Sequence, residues 1–182
     1  MGASEVLSKI LRTFVGSKTD RDYKELSPII DEVALAINSF SSLSDDELRG
    51  KTFELKSKIA EKTKANEEEI ILLKDKIEND YSLSISDKES IYTKIDELDK
   101  QILVLIEDAL NEIRGEAFAV VKETARRFSE NKQLVVTATQ MDRDIAAVRE
   151  SVKIEGNKAI YNSHWLAAGT EVTWEMVHYD VQ

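Results

Sequence analysis

The chain has no cysteine, one proline, six glycines and two histidines among its 182 residues. Without cysteine there is no disulfide framework and no thiolate zinc site, which is typical of proteins in a reducing compartment such as the cytosol. No apolar run approaches the roughly 20 residues that a membrane-spanning helix needs. The sequence contains no H-E-x-x-H spacing, no G-x-x-x-x-G-K-[ST] loop and no G-x-G-x-x-G loop, so it predicts neither a metal site nor a phosphate-binding loop.

Charged residues, by contrast, make up 33% of the chain and hydrophobic residues 42%. This composition is that of a globular protein long enough for one domain with a hydrophobic core. The net charge is −10, and residues 60–112 carry 15 acidic against 7 basic side chains. Because nucleic-acid binding relies on a surplus of positive charge, we expect no nucleic-acid partner.

A short amphipathic helix is predicted at the N-terminus, over residues 4–15. Leu7, Leu11 and Phe14 recur at helical spacing on an apolar face. Lys9 and Arg12 lie on the other face. Charge interrupts the apolar positions and no cleavage pattern follows, which does not fit a signal peptide. Two interpretations stay open: the helix packs on its own domain, or it lies on an acidic membrane surface or docks on a partner.

Further helices are predicted from their capping residues and breakers. Thr19 or Asp20 begins a helix of about 20 residues. Pro28 lies within this helix, which therefore either starts again there or is kinked. Ser44 begins the next helix, since the sequence SDDE that it opens is a capping box. Gly115 is expected to break or bend the path before the helical segment EAFAVVKETARRF.

A long antiparallel helical hairpin is predicted over residues 60–112. Its first helix is almost free of helix breakers, and the sequence YSLSIS (81–86) marks a reversal. Ser86 or Asp87 then begins a second helix, whose apolar residues step by four and three in a heptad seam. The seam consists of Ile91, Ile95, Leu98, Ile102, Leu105 and Ala109. We interpret the hairpin as a solvated coiled coil that acts as a spacer.

The sequence after residue 131 predicts a small β element. Residues 134–136 are a candidate strand, and Thr139 or Asp142 begins a helix that runs through Arg149. The sequence VKIE-GN-KAIY (152–161) is typical of a β-hairpin, and EVTW (171–174) is a further candidate strand. We expect the two tryptophans to pack into a small core: Trp165 and Trp174.

Three segments of the chain together resemble the amino-terminal end of one protein family. They are LSDDELRGKTFELKSKI (43–59), EAFAVVKETARRF (116–128) and HYDVQ (178–182). In this order they are similar to the SecA family, the ATP-driven motors of bacterial protein export. FVGSKTDRDY (14–23) is similar to the opening of the same family. The resemblance implies a mainly α fold with a small β element, as an incomplete part of a helicase-like motor domain.

The resemblance also divides the chain into six segments, two of which are insertions into the commonest family pattern. The segments are the amphipathic N-terminal helix (1–18), family-like helices (19–59), an inserted helical hairpin (60–112), a family-like helix (113–131), a small α/β insertion (132–175) and the start of the nucleotide-binding motif (176–182).

Two groups of residues receive roles from the resemblance. Gln182 would lie on the adenine side of ATP, where a glutamine amide can both donate to and accept from the base edge. Tyr179 and Met176 would help to wall the base. The residues expected to contact the membrane are Leu7, Lys9, Leu11, Arg12 and Phe14.

The resemblance implies ATP and Mg²⁺ as cofactors of the parent motor. We expect neither to be bound to this chain alone, and we assign no catalytic residue within it. The implied partners are a protein-conducting membrane channel, preproteins and acidic phospholipids. We expect a cytoplasmic protein that is peripheral on the inner membrane, and exposed apolar faces would favour a homodimer.

The alternative is a freestanding helical coiled-coil binding module with no ATPase role. Such a module is not expected to end inside a nucleotide motif, and this favours the motor. The codons that follow residue 182 in the source gene would separate the two hypotheses.

Overall fold

The computed structural model describes residues 18–179. Three helices form most of it: α1 (Lys18–Phe40), α2 (Asp45–Asn79) and α3 (Ile85–Glu130). α2 and α3 form a long antiparallel hairpin, and α1 packs against α3. The predicted mainly helical fold with a small β element is confirmed. No helix within residues 18–179 is long and apolar enough to cross a membrane.

Capping boxes begin both helices of the hairpin. The Ser44 hydroxyl accepts from the Glu47 N–H, and the Ser44 N–H donates to the Glu47 carboxylate at 2.7 Å. Ser84 and Asp87 repeat this arrangement at the start of α3. Each box satisfies backbone N–H groups that the first turn leaves unpaired. The predicted reversal is therefore confirmed, but the predicted cap at Ser86 or Asp87 is wrong because Ser84 occupies that position.

The predicted heptad seam forms the core of the hairpin. Ile70 of α2 is buried against Ile95 and Leu98 of α3. Ion pairs flank this seam and join the two helices, as Lys62 with Glu112 and Lys58 with Glu116 do. The partly buried residues that complete the cluster are Leu73, Ile77, Ile91 and Ile102.

The predicted restart at Pro28 and the predicted break at Gly115 are wrong, while the alternatives of a kink and a bend at these residues stay predictions. α1 runs through Pro28 as one helix, so no new helix starts there; it also contains Thr19 and Asp20, which therefore do not cap it. α3 runs through Gly115 without interruption. Glycine is needed there for another reason: a Cβ at Gly115 would lie 2.8 Å from the Glu32 Cβ, so α1 and α3 approach closely at this point.

A buried arginine joins the three helices at the base of the hairpin. Arg127 on α3 donates to the carbonyl oxygens of Phe40 at 3.1 Å and Leu43 at 2.7 Å. It also pairs with Asp45 at 2.7 Å and with the buried Glu123 at 2.8 Å. These bonds satisfy carbonyl groups at the end of α1 and fix the loop that leads into α2.

The small α/β part follows α3. Its elements are β1 (Gln133–Thr137), α4 (Gln140–Ala146), β2 (Val152–Glu155), β3 (Lys158–Asn162), β4 (His164–Ala167) and β5 (Thr170–Thr173). The first three strands form an antiparallel sheet in the order β1-β3-β2, and β4 pairs with β5 in a separate hairpin. Gly156 has φ +61° in the β2–β3 turn, a conformation that glycine adopts without strain.

Most of these elements match the sequence prediction, with three differences. β4 was not predicted, because its four exposed residues show no alternation of apolar and polar side chains. α4 ends at Ala146 and not at Arg149, and Thr139 caps it. Trp165 lies at the surface of β4, so its predicted packing into a core is wrong, whereas Trp174 packs on Phe128.

Candidate functional site

Residues 174–179 belong to no helix or strand and follow the surface of α3. At one end the Trp174 ring lies 6.0 Å from the Phe128 ring. At the other end His178 and Tyr179 lie beside Phe118. Five extended steps cover about 16 Å, and the ten helical steps from residue 128 back to 118 cover about 15 Å. The segment therefore runs along α3 in the opposite direction to the helix.

A groove of about 510 Å³ lies between this segment, α1 and α3. Its floor is apolar, and Arg114, Lys122 and His178 add polar groups. The Nδ1 atom of His178 and the Nε atom of Arg114 are buried without a hydrogen-bond partner among residues 18–179. The apolar lining consists of Leu26, Ile29, Ile30, Val33, Phe118 and Val121, with Tyr179 at the edge.

Met176 and Tyr179, the residues predicted to wall the base, are both on this segment but line different grooves. Tyr179 is 75% exposed and lines the groove beside α1. Met176 is 55% exposed and lines a neighbouring groove of about 550 Å³ with Trp165 and Trp174. His178 lines both grooves and separates the two residues. Gln182 lies outside the described residues, so its distance to either is not defined.

The residues predicted to contact the membrane also lie outside the described range: Leu7, Lys9, Leu11, Arg12 and Phe14.

His178 and the apolar face of α1 were missed as parts of a site. The signal for the α1 face was present, because residues 26, 29, 30 and 33 follow the spacing of one helical face. The sequence could not indicate that this face is left partly uncovered. The sequence places His178 in HYDVQ but carries no signal that its ring lies between two grooves.

The backbone joins the start of the segment to the end of α3. The Ser163 N–H and hydroxyl both donate to the Lys132 carbonyl oxygen, at 2.9 Å and 3.1 Å. The Ser163 carbonyl in turn accepts from the Trp174 N–H at 2.7 Å. Residues 132 and 174 are thus held together through a buried serine. The α/β part between them therefore begins and ends at the same place, beside the end of α3.

A charge cluster attaches this α/β part to α2. Arg49 donates to Asp142 at 3.0 Å and to the Thr137 carbonyl oxygen at 2.6 Å. Burial would raise the pKa of Asp142, but hydrogen bonds from Tyr161, Thr139 and Arg49 outweigh it and hold that pKa well below its usual range. Burial and the bond to Asp142 raise the pKa of Tyr161 to about 12.

Within residues 18–179 no group of three or more histidine, aspartate or glutamate side chains is arranged to hold a metal ion. The described part of the site thus offers apolar walls, an exposed tyrosine and a half-buried histidine whose Nδ1 atom is buried. This arrangement can contact a flat ring or an adjoining apolar chain segment.

The sequence matches the family described as the SecA DEAD-like domain over residues 11–182. Several relatives carry the name protein translocase subunit SecA, and three of them show the degree of similarity. The one from Porphyromonas gingivalis is 43% identical over 182 residues, which is 100% of this chain and 16% of the relative. The one from Bacteroides fragilis is 45% identical over 185 residues, with the same coverage. The one from Christiangramia forsetii is 47% identical over 176 residues, covering 97% of this chain and 16% of the relative.

No solved structure matches the chain. The chain spans about 16% of the length of the curated relatives that it matches. The family match covers the helical hairpin and the α/β part as well as the segments on either side of them. The chain therefore belongs to the SecA DEAD-like domain family.

Proposed function

We propose that this chain is the N-terminal part of an ATP-driven motor that moves preproteins through a protein-conducting membrane channel. The family match over residues 11–182 carries this proposal, and the names of the relatives support it. The parent protein hydrolyses ATP with Mg²⁺, and its phosphate-binding residues belong to other parts of the parent. The freestanding coiled-coil module is less favoured, because the family match extends over both sides of the hairpin.

Within this motor, residues 176–182 provide the adenine-side edge of the nucleotide site. Gln182 distinguishes adenine by donating to and accepting from its edge. Tyr179 and Met176 contribute apolar surface close to the base. The course of residues 174–179 along α3 supports this role, because it gives the residues that follow a fixed starting point. The exposure of Tyr179 leaves its ring accessible to a ligand.

The N-terminal segment makes the contact with the membrane and the channel. Leu7, Leu11 and Phe14 enter the interface, while Lys9 and Arg12 interact with acidic phospholipids. The protein is then cytoplasmic and peripheral on the inner membrane. Each base near an acidic surface contributes about 1 kcal/mol, so vesicles with acidic lipids should bind the chain in a salt-sensitive way. Deletion of residues 1–15 should weaken this binding, and equal binding to neutral vesicles would contradict it.

Substitution of Gln182 in the full-length ATPase tests the nucleotide role. Gln182→Ala should raise the KM for ATP and reduce the preference for ATP over GTP, since a net hydrogen bond contributes about 0.5–1.5 kcal/mol. Gln140→Ala is the matched control, because Gln140 is exposed and its side chain bonds to Asp144 on the same helix. Unchanged ATP preference in Gln182→Ala would contradict the proposal.

The 182-residue chain alone should neither hydrolyse nor measurably bind ATP. One or two hydrogen bonds from Gln182 contribute at most about 3 kcal/mol, whereas even a millimolar complex needs about 4 kcal/mol. Calorimetric titration with ATP and Mg²⁺ and a phosphate-release assay would check this. Sub-millimolar binding or sustained turnover would mean that the chain holds a complete nucleotide site.

A further inference from the structure

The α/β part stands between α3 and the segment that carries the proposed nucleotide contacts. Its two ends meet at Ser163, which is 5% exposed and bonded to both Lys132 and Trp174. The chain thus leaves α3, makes its excursion over residues 133–173, and returns to a point beside the end of the same helix. The residues that follow begin at this point. The conformation of the residue found there therefore sets the direction in which the chain continues.

Trp174 is that residue, and three contacts hold it. Its N–H donates to the Ser163 carbonyl oxygen at 2.7 Å. Its ring packs on Phe128 with 6.0 Å between the centroids and 47° between the planes. Its indole Nε1–H donates to the Met176 carbonyl oxygen at 2.8 Å. The first contact holds the residue beside Ser163, the second holds its ring on α3, and the third fixes the backbone two residues further on.

We propose that Trp174 is a positioning residue for the adenine-side segment and holds its described part, residues 176–179, in line along α3. This inference rests on the proposed nucleotide role of residues 176–182. Trp174 acts through the backbone and not by contact with the nucleotide. A displacement of about 1 Å in a binding group can cost up to about 100-fold in activity. The Nε1–H bond to the Met176 carbonyl oxygen is the contact through which Trp174 restrains the start of the segment.

The first test measures backbone order in this chain. Nuclear magnetic resonance relaxation would give order parameters for residues 176–179 in Trp174→Phe, Trp174→Ala and the control Trp165→Phe. The control removes the other tryptophan, which lies at the surface of β4. In Trp174→Ala we expect the values to fall from the rigid range near 0.85 to below about 0.6. Trp174→Phe keeps ring packing without the Nε1–H bond and should give intermediate values.

Strands β1–β3 serve as the internal reference in these spectra. Their order parameters should stay unchanged in each variant, because the effect is confined to the segment after β5. If Trp174→Ala leaves residues 176–179 as ordered as before, the proposal is wrong. If the variant loses order throughout β1–β3, Trp174 is a general packing residue, and the proposal is also wrong.

The second test uses the full-length ATPase that carries this chain. Trp174→Ala should raise the KM for ATP about tenfold, a loss of about 1.4 kcal/mol in binding, with a smaller change in kcat. It should also lower the preference for ATP over GTP, and Trp174→Phe should recover most of both. Gln182→Ala is measured beside it. If Gln182→Ala changes the preference and Trp174→Ala does not, the positioning role is wrong. If Gln182→Ala itself changes nothing, the proposed nucleotide role is wrong, and this inference falls with it.

Discussion

Replacing Gly115 by alanine should destabilise the fold, although alanine favours helices. The new Cβ would lie 2.8 Å from the Glu32 Cβ and 3.2 Å from the Glu32 carbonyl carbon. Overpacking of this kind costs about 1–3 kcal/mol, and the upper half of that range applies because the second contact is with backbone. The gain in helix propensity offsets about 1 kcal/mol. We therefore expect a net loss of about 1–2 kcal/mol in the free energy of unfolding.

Gly50 on α2 is the matched control. A Cβ there would meet no atom within 4 Å, so Gly50→Ala should raise the free energy of unfolding by about 0.5–1 kcal/mol. The two substitutions are chemically identical and should have opposite signs. Urea denaturation followed by circular dichroism measures both. Gly115→Ala as stable as the parent chain, or more stable, would refute the close approach of α1 and α3.

Three further predictions concern the buried charges and the caps. Arg127→Ala removes the bonds that Arg127 makes to the Leu43 carbonyl oxygen, Asp45 and the buried Glu123, and it should cost about 3–5 kcal/mol. Arg126→Ala removes the two bonds of a partly exposed guanidinium to Glu123 and should cost less, about 1.5–3 kcal/mol, as urea denaturation would measure. The raised pKa of Tyr161 contributes stability that is complete below the unfolded pKa of about 10 and is lost as pH rises to about 12; Tyr161→Phe should remove this alkaline slope in pH-dependent unfolding. Ser84→Ala should cost about 1 kcal/mol in thermal or urea unfolding, and Ser86→Ala, at the wrongly predicted cap, should cost little.

Local signals explain why much of the fold could be predicted from the sequence. The heptad seam and the SDDE box depend on residues a few positions apart. Their spacing therefore predicts them without knowledge of the tertiary structure. The β2–β3 hairpin is equally local, since Gly156 supplies the turn between two alternating strands.

Contacts between distant parts of the chain account for what could not be predicted. Gly115 was interpreted as a break because only the position of Glu32, 83 residues earlier, explains its small size. The hydrogen bonds of Arg127 join residues more than 80 positions apart. The position of His178 between two grooves depends on where the segment 174–179 contacts α1 and α3. The residue spacing along one helix carries no information about such contacts between distant elements.

The helical hairpin also has a mechanical consequence. From residue 60 to its turn at residues 80–84 it extends about 30 Å at 1.5 Å per residue. The hairpin is stiffened by its own apolar seam, so it acts as a lever arm. A rotation of about 10° at the base would move the tip, where Tyr81 is 93% exposed, by about 5 Å. Conversely, a force on the tip acts as a torque on the contact between α1 and α3 at Gly115 and on the hydrogen bonds of Arg127.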